Sequence, residues 1–139
     1  MKKNLCIILG ILLVGSSFAK APETSVIGKK GSQNGTIFFA ENGIYKEYML
    51  LEEDILGKTA VEKYSLKKAS EWHLPSREEL ALLHKACQES EKISFDMWVW
   101  SCNLFNRNIA YGFDFSLEEE NCRFLESYQK CILVRDFTK

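Results

Sequence analysis

The chain has 139 residues, with 18 basic and 19 acidic side chains and a formal net charge of −1. A chain with this balance has no net electrostatic attraction for nucleic acid or anionic lipid, so we expect neither as a partner. Its length fits one domain of the commonest size, built around a single core.

The first 19 residues predict a secretory signal peptide. Two lysines precede an apolar stretch over residues 5–14, and the small residues Ser17 and Ala19 follow it. This order is typical of a signal, and the stretch is about half of the ~20 residues that a permanent membrane helix needs. We therefore expect cleavage after Ala19, a periplasmic or secreted location, and no membrane anchor after cleavage. The alternative is a buried N-terminal helix, which the polar, glycine-rich segment that follows disfavours.

Cleavage would leave one domain behind a short leader. The mature chain keeps 16 basic and 19 acidic residues, a net charge of −3. Residues 20–35 are rich in Lys, Gly, Ser and Asn, with only Val26 and Ile27 to bury, which predicts a flexible leader. The folded domain then spans residues 36–139.

The domain is predicted to open with a β-hairpin and continue with a helix. Residues 36–39 and 45–51 are rich in aromatic and aliphatic side chains, and the turn pair Asn42 and Gly43 separates them. Next, the spacing T-x-x-E that begins at Thr59 is a capping box, which predicts a helix of about 10 residues.

A second capping box predicts a second helix. Ser76 and Glu79 form this box directly after Pro75. Beyond it, Leu80, Leu83 and Cys87 share one helix face. His84 lies beside this stripe and is interpreted as a histidine of the helix surface or the core edge rather than a ligand or catalytic base.

The remainder of the chain is typical of a small antiparallel sheet. Short aromatic and β-branched runs cover residues 97–102, 109–115, 122–125 and 131–136. In the second run Tyr111, Phe113 and Phe115 fall on alternate positions, so they share one face of the strand. The order of a hairpin, two helices and several short strands predicts an α+β fold.

Four cysteines remain after cleavage, and an even number in an oxidising compartment predicts one or two disulfides. They lack the CxxC step that a zinc site or a redox enzyme would need, so neither a metal nor a cofactor is expected. Zinc and free thiols stay as alternatives. The disulfide candidates are Cys87, Cys102, Cys122 and Cys131.

Several segments resemble one bacterial family. Residues 72–80 (WHLPSREEL) resemble the W-R-L-P-[ST]-x-x-E-L signature of the family named for the C-terminal domain of the Lcl collagen-like adhesin. Residues 35–39, 100–102 and 110–116 resemble its opening hairpin, its W-S-S strand and its A-x-x-x-x-F-S strand, and a V-R pair closes the domain. The resemblance implies a C-type-lectin-like fold in which two helices flank a small twisted antiparallel sheet. His73 and Cys102 depart from the family's usual Arg and Ser.

The resemblance to this family favours a non-catalytic function. The sequence lacks the E-P-N, Q-P-D and W-N-D motifs with which calcium-dependent lectins bind the ion, and no cysteine pair matches that of the formylglycine-generating enzymes. We therefore expect a non-catalytic binding module for a glycan or a surface protein. An envelope assembly or host-interaction factor with a protein partner is the alternative, and a cysteine-based enzyme ranks below both.

Aromatic planes and polar groups near the third predicted strand are the candidate ligand-binding residues. Trp98 and Trp100 fall on the same face of that strand, with Val99 on the other. The competing interpretation places both tryptophans in the core. The candidates are Trp98, Trp100, Asn103, Phe105, Asn106 and Arg107.

Overall fold

A computed structural model describes residues 24–139 of the chain, so the predicted signal peptide and the start of the leader lie outside the described residues. The described part is an α+β domain with two helices and antiparallel sheets, as the sequence predicts. A 3-10 turn at Thr24–Val26 precedes the regular elements. These elements are β1 (Thr36–Glu41), β2 (Ile44–Leu50), β3 (Ile55–Leu56), α1 (Gly57–Tyr64), α2 (Arg77–Glu89), β4 (Trp98–Asn106), β5 (Ile109–Asp114), β6 (Glu119–Phe124), β7 (Tyr128–Gln129) and β8 (Ile132–Thr138).

The strands form three sheets rather than the single small sheet expected from the sequence. Their orders are β1-β2-β8, β3-β7 and β4-β5-β6, and every pairing within them is antiparallel. Two of these sheets join the beginning of the chain to its end, through β2 with β8 and β3 with β7, whereas β4, β5 and β6 are consecutive strands that follow both helices. Isolated bridges from His73 to Val134 and from Val99 to Lys130 link the separate parts.

The predicted hairpin is confirmed. Asn42 and Gly43 both have positive φ angles, 54° and 80°, which is the backbone that a tight hairpin turn of this type requires. The far edge of β2 pairs with β8 from Ile44 to Leu50, so the last strand of the chain joins the first hairpin.

Of the two predicted capping boxes, only the second exists. In α2 the Ser76 hydroxyl accepts a hydrogen bond from the Glu79 N–H, and a Glu79 carboxylate oxygen accepts one from the Ser76 N–H, both at 3.0 Å. The box predicted from Thr59 is wrong, because α1 begins at Gly57 and has no side-chain cap. Its first N–H groups donate instead to backbone carbonyls of the β6–β7 connection, from Gly57 to Ser127 and from Lys58 to Leu125.

The core consists of two main clusters on opposite sides of β4. Val99 packs with Leu80 and Leu83 of α2 in one cluster. Trp98 and Trp100 pack in the other. Both faces of β4 are therefore covered over the first half of the strand, and β4 lies at the centre of the domain.

The segment predicted as a flexible leader is hydrogen-bonded to the domain where it is described. Gly28 donates to the Ile37 carbonyl, and the Lys29 carbonyl accepts from Ile37, so the segment runs beside β1. The backbone N–H of Gly35 donates to the fully buried Glu47 carboxylate at 2.8 Å. The sequence gives no sign of this attachment, because Glu47 lies in a strand and reads there as a solvent-facing residue.

Candidate functional site

The two tryptophans are not available to a ligand. Trp98 is 4% exposed and Trp100 is 0% exposed, and their rings meet nearly edge to face with centroids 4.9 Å apart. Each indole N–H is already used, from Trp98 to the Asn121 carboxamide at 2.6 Å and from Trp100 to the Ile55 carbonyl at 3.1 Å. The prediction that they share a face opposite Val99 is confirmed, and of the two interpretations of that face the structure has the one that places both tryptophans in the core.

The other candidates lie at or near the hairpin that joins β4 to β5. Phe105, Asn106 and Arg107 are exposed there, and Asn103 is half-buried. The Asn103 side-chain oxygen accepts a hydrogen bond from the backbone N–H of Arg77 at 2.9 Å, and that of Asn106 accepts one from the Asn108 N–H at 2.8 Å. Both carboxamide oxygens therefore stabilise the local chain, whereas Phe105 is 60% exposed.

Phe105 belongs to a larger apolar surface on one side of the β4-β5-β6 sheet. Opposed residues of an antiparallel pair share a face, and Tyr111 lies opposite Cys122 while Ile109 lies opposite Phe124. The Phe105 ring joins them, 5.8 Å from that of Tyr111. We call Phe105, Ile109, Tyr111, Cys122 and Phe124 the aromatic face.

The aromatic face is the part of this sheet that α2 leaves uncovered. Further along the same side of β5, Phe113 is covered by His84 of α2, with ring centroids 4.9 Å apart. Tyr111 lies at the N-terminal end of α2 and is half-buried, and Phe124 beyond it is 64% exposed. The alternation of aromatic residues in β5 predicted their common face, but not the position at which the helix stops covering it.

A charged pair forms the border of the aromatic face beside α2. The guanidinium carbon of Arg77 lies 3.9 Å from the Tyr111 ring centroid, and the same group donates to both carboxylate oxygens of Glu120 at 2.8 and 2.6 Å. The hydrogen bond to Glu120 raises the pKa of Arg77. The surface is therefore apolar at its centre and polar along one side, an arrangement common in protein interfaces.

The structure shows none of the predicted disulfides, and all four candidate cysteines are free thiols in it. Cys102 and Cys122 lie on β4 and β6, which β5 separates. Strands two places apart are about 10 Å from each other, beyond the span of a disulfide. Cys87 lies on α2 and packs against one core cluster, while Cys131 is buried in the other.

The environment of each of these four thiols raises its pKa above the ordinary value. Burial raises the pKa of Cys87 to about 11 and that of Cys131 to about 12. Burial, with repulsion from Glu79, also raises the pKa of Cys102. For the exposed Cys122, desolvation and repulsion from Glu120 raise the pKa. None of these surroundings produces the thiolate that nucleophilic or redox chemistry requires.

The two histidines lie apart from the aromatic face. His73 is buried, with Nδ1 2.8 Å from the Leu74 carbonyl oxygen. His84 lies at the edge of the core, as predicted, with Nε2 2.9 Å from a Glu118 carboxylate oxygen. Within residues 24–139 no three histidine, cysteine or acidic side chains are grouped so that they could hold a metal ion.

A groove of about 380 Å³ lies between the N-terminal 3-10 turn, β1 and α2. Ile27, Phe39 and Leu82 contribute apolar surface to it, and Lys85 and Glu89 lie among its polar lining. None of the residues that the sequence singled out as ligand-binding lines this groove.

Comparison with the models of known protein families finds no match, and comparison with curated proteins finds no significant relative. In the part of the chain that the structure describes, no helix is long and apolar enough to cross a membrane.

Proposed function

We propose that this protein is an exported, non-catalytic binding module that recognises a partner through the aromatic face. The observation that carries the proposal is the exposure of Phe105 and Phe124 on the same side of one sheet, next to Tyr111. Contiguous exposed apolar surface on a small domain commonly marks an interaction site.

The energetics favour occupation of this face. Burial of a phenylalanine side chain is worth roughly 1.5–3 kcal/mol relative to leaving it exposed, so a partner that covers both rings would gain several kcal/mol. Tyr111 and Arg77 add an amphipathic ring and a fixed cation at the border. Residues of these types are enriched among those that dominate binding energy at protein interfaces.

The chemistry of the face favours a protein partner over a glycan. Phenylalanine rings offer no hydrogen bond to sugar hydroxyls, and the oxygens of Asn103 and Asn106 are engaged within the domain. The tryptophans, which would suit sugar stacking best, are in the core. A protein surface with its own apolar centre matches the aromatic face better.

The raised thiol pKa values support a function without cysteine chemistry. Cys122 is the only exposed thiol among the described residues. An enzyme that used it would need surroundings that lower its pKa, whereas desolvation and repulsion from Glu120 raise the pKa of Cys122 although Arg77 lies nearby.

We also propose membership of the Lcl C-terminal-domain-like family and a C-type-lectin-like arrangement of the α+β fold. Support comes from residues 72–80, in which Leu74 is fully buried and Ser76 and Glu79 cap α2. Pairing of β2 with β8, which joins the first and last parts of the domain, agrees with this fold. The order of charged, apolar and small residues over 1–19 supports export.

A binding screen tests the function. The wild-type protein, the double variant Phe105→Ala/Phe124→Ala and the control Tyr128→Ala are immobilised and presented with envelope proteins and with a glycan array. Tyr128 is 65% exposed but lies on β7, outside the aromatic face. We expect a protein that is retained by the wild type and the control but not by the double variant. Glycans retained equally by all three proteins would place the binding surface elsewhere.

A further inference from the structure

Strand β6 leaves one of its two edges unpaired among residues 24–139. It is the last strand of the β4-β5-β6 sheet, and only β5 pairs with it. Beyond its end, the Leu125 N–H donates to the Asn108 carbonyl at 2.8 Å, which continues the ladder with β5. Backbone groups of alternate residues point to opposite sides of a strand, so Glu120 and Cys122 direct their N–H and C=O groups away from β5.

This edge is self-complementary in charge. Glu119 and Glu120 occupy the first half of β6, and Arg123 occupies the second half. A second β6 laid antiparallel would place the acidic half of each copy against the basic half of the other. A parallel arrangement would oppose like charges.

The register that uses the free backbone groups is the one that pairs the charges. If Asn121 faces its own copy, Glu120 faces Cys122 and Glu119 faces Arg123. The outward groups of Glu120 and Cys122 then exchange four backbone hydrogen bonds across the two-fold axis. If Cys122 instead faced its own copy, the backbone groups of Phe124 would have to pair across the axis. The Phe124 carbonyl already accepts a hydrogen bond from the Ser127 N–H.

We propose that two copies of this chain associate through β6 in this antiparallel register, giving a continuous six-stranded sheet. The two-fold axis is perpendicular to the sheet, so the aromatic faces of both copies lie on the same side. Glu119, which forms no ion pair within residues 24–139, gains Arg123 of the other copy as its partner. The inference depends on the strand edge and not on the identity of the ligand in the proposed function.

Charge reversal tests the register. Sedimentation velocity on the wild type, Glu119→Arg, Arg123→Glu and the double variant gives the dimer dissociation constant of each. We expect each single reversal to raise this constant by about tenfold or more, since each replaces two attractive cross-strand pairs by repulsive ones. The double variant should recover to within about threefold of the wild type, because the pairs are attractive again.

If Arg123→Glu impairs folding, Glu119→Arg alone tests the proposed register. Arg123 also donates to Gln129 and lies over the Trp98 ring, whereas Glu119 is exposed. Circular dichroism of each variant identifies any loss of folding. A wild type that stays monomeric at its highest soluble concentration would overturn the proposal, and so would a dimer that Glu119→Arg does not weaken.

Chemical crosslinking provides an independent measurement. In the proposed register the two Cys122 residues are diagonal neighbours on one face, with Cα atoms about 7–8 Å apart. A short bismaleimide should link them in the wild type and fail to do so in Cys122→Ser, which retains the other three cysteines of the domain. Equal crosslinking of Cys122→Ser would overturn the proposal, because the reactive thiols would lie outside β6.

Discussion

At the scale of single residues, Glu47 and Arg135 form a buried ion pair. Arg135 donates to the Glu47 carboxylate and also to the Ser70 carbonyl, and both side chains are almost wholly buried. Further donors to the carboxylate come from Ser32 and Gly35. The pair therefore joins β2, β8 and the segment before β1.

Arg135→Ala should lower the free energy of unfolding by about 3–5 kcal/mol, because it leaves the Glu47 charge buried without its cation. Urea denaturation measures the loss. The matched control is Lys58→Ala, which removes an ion pair with Glu126 in which both side chains are more than half exposed. That change should leave the free energy of unfolding close to that of the wild type. Equal losses in the two variants would contradict this assignment.

Asp114 gives the domain an acid-sensitive component of stability. Its carboxylate accepts hydrogen bonds from the Ser116 hydroxyl at 2.6 Å and from the Ser116 and Leu117 N–H groups. The Ser116 hydrogen bond lowers the pKa of Asp114 below its ordinary value. Folding therefore favours the ionised form, and this contribution is present above the unfolded pKa and is lost as the pH falls through the lower, folded one.

We expect Asp114→Ala to reduce the loss of stability of the domain below about pH 4, where an unperturbed aspartate takes up its proton. Unfolding free energies of the variant and the wild type, measured from pH 7 down to pH 2, give this comparison. Ser116→Ala should produce part of the same change because it removes the first hydrogen bond. A wild-type profile that neither substitution alters would contradict the assignment.

At the scale of elements, the two predicted capping boxes should differ in their effect on stability, because only the one at Ser76 exists. Ser76→Ala should cost about 1 kcal/mol of stability, since α2 loses its N-cap hydrogen bond. Thr59→Ala should change stability by less than about 0.5 kcal/mol, because Thr59 is exposed within α1 and caps nothing. Thermal or urea unfolding of both variants measures the difference. A larger loss for Thr59→Ala would show that the helix start is at Thr59.

The elements that could be predicted are those with a local cause. Positive φ at Asn42 and Gly43 makes the hairpin, and the Ser76 box starts α2. The division into three sheets has no local signal, because it depends on which distant strands meet. The start of α1 escaped prediction for the same reason, since carbonyls about 70 residues further along satisfy its first N–H groups.

The candidate site was predictable in its position but not in its composition. The alternation of side chains along a strand correctly placed Trp98 and Trp100 on one face of β4. When both faces of a strand carry apolar residues, however, this alternation does not show which face is covered. Phe105 was found because it lies in a polar hairpin. Phe124 was missed because its exposure depends on how far α2 covers this side of the sheet.

At the scale of the whole molecule, the placement of cysteines determines how the protein responds to oxidants and thiol reagents. Of the four thiols among residues 24–139, three are buried or half-buried, on α2, on β4 and between β7 and β8, and Cys122 faces solvent. With a chromogenic disulfide reagent we expect one thiol of the domain to react rapidly in the native state and three only after unfolding. Peptide mass mapping should identify the first as Cys122. Rapid reaction of Cys131 in the native state would contradict the packing described here.

The two proposed surfaces, the aromatic face and the β6 edge, lie on the same sheet. Beneath them β4 is packed on both sides, and the sheet is uncovered beyond the N-terminal end of α2. A binding module needs this combination, since a fixed surface loses little conformational entropy when a partner covers it.

The most direct test of the central claim is photo-crosslinking in cells that export the protein. A photoreactive benzoylphenylalanine replaces Phe105, Phe124 or, as the control, Tyr128, whose exposure matches that of Phe124. The account predicts a covalent adduct from the first two positions and none from the third. Absence of adducts at both positions of the aromatic face, or equal adducts from the control, would contradict the claim that this face binds the partner.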